Sequence, residues 1–179
     1  MSGNNFEVPP LPWSGIRGRV TSLREGFGLA DREMMPVMEF LEKVLDHKLG
    51  LQLEVGSHAE MGGAEGYTCQ LGNFIQLRED VYQKAWAGEG RARFTVAHEI
   101  GHLHLHAGQP IRLARTTSNI PAYRLSEPQA NQYAAEILMP PKFFSINDTA
   151  ELVAARHGVS VSAASHRLNY LKKEGLIKK

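Results

Sequence analysis

The chain has few of the features that would place it outside a reducing, aqueous setting. Its 179 residues include one cysteine, Cys69, so no intramolecular disulfide can form, and that residue reads as a small buried apolar side chain. No apolar run is long enough to span a bilayer. The start, MSGNNFEVPPLPW, lacks the basic and apolar regions of a secretory signal. A soluble cytoplasmic protein without membrane contact is the expectation. An excess of one charge is also missing. With 20 Lys and Arg against 19 Asp and Glu, the formal net charge is +1, and no whole-molecule field draws the chain to nucleic acid. There are no internal repeats and no low-complexity tracts.

What is present is an ordinary globular composition, 42% hydrophobic, and a length suited to one domain. Residues 1–15 carry Pro9, Pro10 and Pro12 and read as a flexible arm, and 17–26 give no clear signal. Val37, Phe40, Leu41, Val44 and Leu45 share one face of a helix expected over 31–48, which stops at Gly50. LQLEV (51–55) alternates as a strand does, and EGYTCQ and FIQLRE flank Gly72-Asn73, a pair suited to a tight hairpin. A small antiparallel sheet of three or more strands is expected there. After residue 80 the pattern is helical, with pieces near 81–86, 91–106 and 127–138 and a group after Asp148. Strands followed by helices predict an α+β fold, small sheet on helices.

Four of the eight histidines lie in TVAHEIGHLHLH, residues 95–106. His98-Glu99-Ile100-Gly101-His102 fits H-E-x-x-H. At roughly 100° per residue, His98 and His102 stand one turn apart on one helix face and can reach one zinc ion, with Glu99 beside them as a base. An amphipathic core helix would account for Phe94, Val96, Ile100, Leu103 and Leu105, but would leave the His-Glu-His geometry as accident.

A third protein ligand is needed. The extension that would require Gly at 105 and His at 108 fails on Leu105 and Gly108. His106, about 6 Å further along the helix, and His104, on the opposite side, are expected to be surface or supporting residues. In RLSEPQANQYAAEILMPP, Ser126 and Gln129 have capping-box spacing and open a helix. Glu127 stands in its first turn and is the preferred ligand. Asn131, on the same face, is placed to orient a ligand histidine. Glu136 lies half a turn away and reads as solvated, and Ala130, Ala134 and Ala135 permit a close neighbouring helix.

RARFTVAHEIGHLHLH (91–106), EPQANQYAAEILMP (127–140) and LVAARHGVSVSAASHRLNYLKKEGLI (152–177) together resemble the ImmA/IrrE metallopeptidases, a gluzincin branch, over roughly residues 30–177. The resemblance implies a zincin-like fold with Zn2+ held by His98, His102 and Glu127, Mn2+ being the alternative metal. It also implies Glu99 as catalytic base, Asn131 in support, and a helix-turn-helix repressor as protein substrate. Tyr133 stands where the family has Phe. Tyr123, Tyr133 and His104 are the candidates for stabilising an oxyanion, and the hairpin at 66–79 for holding substrate by strand addition.

The domain reading is an arm at 1–15, a metallopeptidase core at 16–147 and a helix-turn-helix-like segment at 148–179 packed on the core. In that segment Leu152, Val153, Val159, Val161, Leu168, Leu171 and Leu176 are expected inside. Arg167, Lys172, Lys173, Lys178 and Lys179 make its end basic, yet direct DNA binding is not expected. The alternative function is a non-catalytic regulator binding DNA or protein, for example part of a toxin and antitoxin pair, with a structural metal. Glu99 favours the enzyme, because a structural metal needs no base beside it.

Overall fold

The computed structural model describes residues 5–110, 112–113 and 120–177. Lys178, Lys179, the first four residues and most of the 111–119 connector lie outside the described residues.

Of the segment read as a flexible arm, the described part, from residue 5 on, is held along the molecule. β1 (Phe6–Glu7) pairs antiparallel with β5 (Arg112–Leu113), Val8 N–H donates to the Arg124 carbonyl at 2.9 Å, and Leu11 N–H donates to that of Tyr123 at 3.0 Å. Pro12 then introduces α1 (Trp13–Gly26), which buries Ile16, Val20 and Arg24. Proline fixes φ where the first helical N–H groups have no partner anyway. The 17–26 signal was unclear because α1 buries a charged residue. Arg24 escapes the cost by donating to the carbonyls of Ile137, at 2.7 Å, and Arg32.

The next helix is shorter than expected. Pro36 disfavours helical backbone at Met35, so α2 begins at Val37 (Val37–Glu39) and continues as a π-turn over Phe40–Asp46. Val37, Phe40, Leu41 and Leu45 are buried as the periodicity demands.

The sheet is mixed, which corrects the antiparallel expectation. β2 (Gln52–Gly56) runs parallel to β4 (Phe74–Arg78), and β3 (Gly66–Thr68) runs antiparallel on its other edge, in the order β2-β4-β3. β4 takes the centre because Ile75 and Leu77 are both fully buried. Between β2 and β3 lies α3 (His58–Met61), opened by a Ser57 and Glu60 capping box. The β3-β4 connection is also longer than a two-residue hairpin. Gly72 takes φ +77°, no described non-glycine residue has positive φ, and the turn closes from Gly72 N–H to the Cys69 carbonyl.

α4 (Glu79–Trp86) leads into the central α5 (Gly90–His106), which packs on the sheet on one side and on α6 (Ser126–Leu138) on the other. Gly101 lets the two helices meet: a Cβ there would stand 3.1 Å from Tyr133 Cβ and 3.2 Å from the Ala130 carbonyl. α7 (Ala150–His157) and α8 (Val161–Lys173) close the core, joined at Gly158, which is left-handed. Val153, Val159, Leu168 and Leu171 are buried and Leu176 packs against the core, but Leu152 and Val161 are 56% and 49% exposed, contrary to expectation. Glu136 is a larger correction. It is 1% exposed and accepts from both terminal guanidinium nitrogens of Arg167, at 3.1 and 2.6 Å, and from Arg17 at 3.2 Å. The face read as solvated is where α1 and α8 fasten to α6. The result is an α+β protein, mostly helical, and no described helix is long and apolar enough to cross a membrane.

Candidate metal centre

α5 carries His98, His102 and His106 at intervals of four, so their rings stack along one stripe, with centroids 4.6 and 5.2 Å apart. α6 brings Glu127 to the same place. His98 Nε2 and His102 Nε2 are 2.9 Å apart, and they lie 3.3 and 3.2 Å from the two Glu127 oxygens. These are the three residues whose ligand atoms converge within 4.8 Å of one another.

The other ring nitrogens are occupied. His98 Nδ1 donates to Asn131 Oδ1 at 3.0 Å, and His102 Nδ1 faces Nδ1 of His106 at 3.1 Å. With a hydrogen on each ligand Nδ1, both Nε2 atoms and the carboxylate are acceptors facing one another without a hydrogen between them. Such a group requires a cation. Tetrahedral zinc, with bonds of about 2.0–2.1 Å, separates neighbouring donors by about 3.3 Å, close to the spacings found here.

The electrostatics agree. Burial opposes charge on His98, but the Glu127 carboxylate, Glu99 and Asn131 outweigh it and raise its proton affinity above that of a free histidine. Burial would raise Glu127, yet the hydrogen bonds and charge of His102 and His98 hold it well below the usual carboxylate range. A proton or a metal ion answers the same need.

Glu99 stands beside this group, buried between α5 and β3. The Thr68 hydroxyl lies 2.7 Å from Glu99 Oε2 and 3.0 Å from its carbonyl. Gly66 leaves space for the carboxylate. The four residues line a cleft of about 330 Å³ walled by Phe6, Gly66, Tyr67, Thr68, Cys69 and Ser126 among others. Cys69 is therefore a half-buried wall residue, where sequence placed it in the core.

Other expectations change. His106 is buried, its Nε2 meets Gln129 Oε1 at 3.0 Å, and burial pushes its pKa down to about 4. The Ser126 and Gln129 capping box does not form: Ser126 is the first helical residue and its oxygen accepts from Phe6 N–H at 3.0 Å. Tyr133 is fully buried with its hydroxyl 3.0 Å from His104 Nδ1, neither lines the cleft, and Tyr123 lies outside it too. Gly66 and Thr68 escaped sequence reading because nothing local marks them. His106 takes the supporting place that was one of its two expectations, one turn beyond His102, and it is buried where the other expectation was the surface.

The family model for the IrrE N-terminal-like domain of the M78 peptidases matches residues 56–169. That span holds both helices of the site and covers more than half of the chain. The chain belongs to this family. No curated protein matches it. For this M78 member, the peptidase family and the His98, His102 and Glu127 cluster together point to a metallopeptidase.

Proposed function

We propose that this M78 protein is a zinc-dependent endopeptidase of zincin-like build, acting on a regulatory protein of the helix-turn-helix repressor class. The observation that carries the reading is the convergence of the His98, His102 and Glu127 ligand atoms within 4.8 Å of one another, beside a buried carboxylate that takes no part in the cluster. His98, His102 and Glu127 would hold the metal, with Asn131 fixing the His98 ring. When bound, zinc supplies Lewis acidity for activating water and polarising a carbonyl. Manganese satisfies the same donors less well, since nitrogen ligands favour zinc.

Glu99 is the base. It accepts a proton from the attacking water and delivers it to the leaving amide nitrogen, while Thr68 holds Oε2 and keeps the carboxylate in place. β3 is the sheet edge beside the cleft, so an extended substrate segment can add to it through backbone hydrogen bonds. A cleft floored by a base and a three-residue cluster suits hydrolysis better than storage of a structural ion.

The test is to mix the purified protein with the helix-turn-helix protein encoded beside its gene, with zinc or with a chelator, and to weigh the products by mass spectrometry. Cleavage at one bond, lost with chelator and in Glu99→Gln while zinc stays bound, is expected. Full cleavage by Glu99→Gln refutes the mechanism. A shift of duplex DNA unaffected by chelator, with no cleavage, favours a regulator instead.

A further inference from the structure

His102 is tied to the N-terminal segment through two intermediaries. Its Nδ1 meets His106 Nδ1, and His106 Nε2 meets Gln129 Oε1. The Gln129 amide nitrogen donates to the carbonyls of Pro9, at 3.0 Å, and Tyr123, at 2.7 Å. Gln129 is 1% exposed and His106 7%, so both look to protein groups for their hydrogen bonds.

Each link fixes the next. The two carbonyls use both amide hydrogens, which turns the Gln129 oxygen toward His106 as an acceptor. A neutral imidazole has one N–H. His106 therefore carries its hydrogen on Nε2, and its Nδ1 can only accept. His102 must then donate from Nδ1, which leaves its Nε2 lone pair facing His98 and Glu127.

The two ligand histidines are oriented by different routes. His98 uses Asn131 from α6 directly. His102 depends on carbonyls that the N-terminal segment helps to place, since Leu11 N–H also binds the Tyr123 carbonyl and Val8 N–H that of Arg124.

We propose that Gln129 is a positioning residue which, anchored on the Pro9 and Tyr123 carbonyls, acts through His106 to fix His102 in the tautomer that offers Nε2 to a metal. Residues 8–11 thereby belong to the site's support, although their hydrogen bonds go to Tyr123, Arg124 and Gln129 and to none of the three ligands. The proposal rests on reading His98, His102 and Glu127 as a metal centre.

Long-range nitrogen-15 spectra of the metal-free full chain test it, because they report which ring nitrogen carries hydrogen. Wild type is expected to show His106 with hydrogen on Nε2 and His102 on Nδ1. In Gln129→Met both rings lose that preference, and zinc affinity, read by competition with a chromophoric chelator, falls about 10–100-fold, the usual effect of removing such a partner. If that variant does not fold, Gln129→Asn, one methylene too short to span the gap, is expected to mix the tautomers in the same way. Hydrogen on His106 Nδ1 in wild type overturns the proposal, as does weaker zinc binding in a variant whose tautomers are unchanged. Failure of wild type to bind zinc would instead overturn the metal-centre reading, and the tautomer spectra would still decide the relay.

Discussion

The Glu99 carboxylate lies against the backbone of Gly66: a Cβ at that position would stand 2.7 Å from Glu99 Cγ and 2.8 Å from Oε1. The neighbour that must yield is a side chain with rotatable bonds, so Gly66→Ala should cost little stability and instead displace the base. Displacements of about 1 Å can cost about 100-fold in rate. The expected result is a kcat lowered by that order, with KM and zinc content unchanged, measured by steady-state cleavage and metal analysis. Unchanged kcat would mean that Glu99 is not held where the reaction needs it.

Gly90 has the opposite character. A Cβ there would meet the Val159 carbonyl carbon at 2.3 Å and Ser160 N at 2.5 Å, backbone that cannot swing aside. Overpacking typically costs about 1–3 kcal/mol, occasionally more. Gly90→Ala should lie at or above the top of that range in urea unfolding, because α5 must move off the α7-α8 turn.

The Glu136 and Arg167 pair predicts a stability effect separate from the metal. Removing one partner of a buried pair costs about 3–5 kcal/mol, because the other charge is left without compensation. Arg167→Met should lose roughly that much in chemical denaturation, tempered by Arg17, and Glu136→Ala should also destabilise. Both should bind zinc as wild type does. Metal loss in folded Glu136→Ala would reassign the third ligand.

Asp148 gives the acid side of the stability profile. Arg156 donates to it at 2.6 and 3.0 Å and Ser145 N–H at 2.9 Å, which holds its pKa below the ordinary aspartate value despite burial. A depressed folded pKa means that the native state binds the proton less readily than the unfolded chain. The stabilisation is thus complete above the unfolded value, about 3.9, and is lost as pH falls through the folded one. Asp148→Asn should be less stable than wild type at neutral pH, and the gap should close below about pH 4. A gap that stays constant in urea midpoints across that range would contradict this.

Much of the site was legible because its logic is local. Four-residue spacing puts His98 and His102 on one face whatever surrounds them, and the Ser126 onset puts Glu127 in a first turn. Glu136 shows the limit. The helical wheel correctly turned it away from Glu127, but the same wheel cannot say that α1 and α8, from distant sequence, cover that side with Arg17 and Arg167. The sheet failed for a similar reason, since the choice of β4 as central strand depends on burial against α5. Pro36 marks the true helix start in the sequence, while the apolar periodicity alone runs past it. The helix geometry turns His106 away from the ligand role, but what it binds instead is not legible locally, because its partner Gln129 lies on another helix.

Zinc stoichiometry tests the convergence of His98, His102 and Glu127 most directly. After loading and dialysis, metal analysis should find one zinc per wild-type chain, and none above background in Glu127→Ala whose fold is intact by circular dichroism. Undiminished zinc in Glu127→Ala would contradict the three-residue centre.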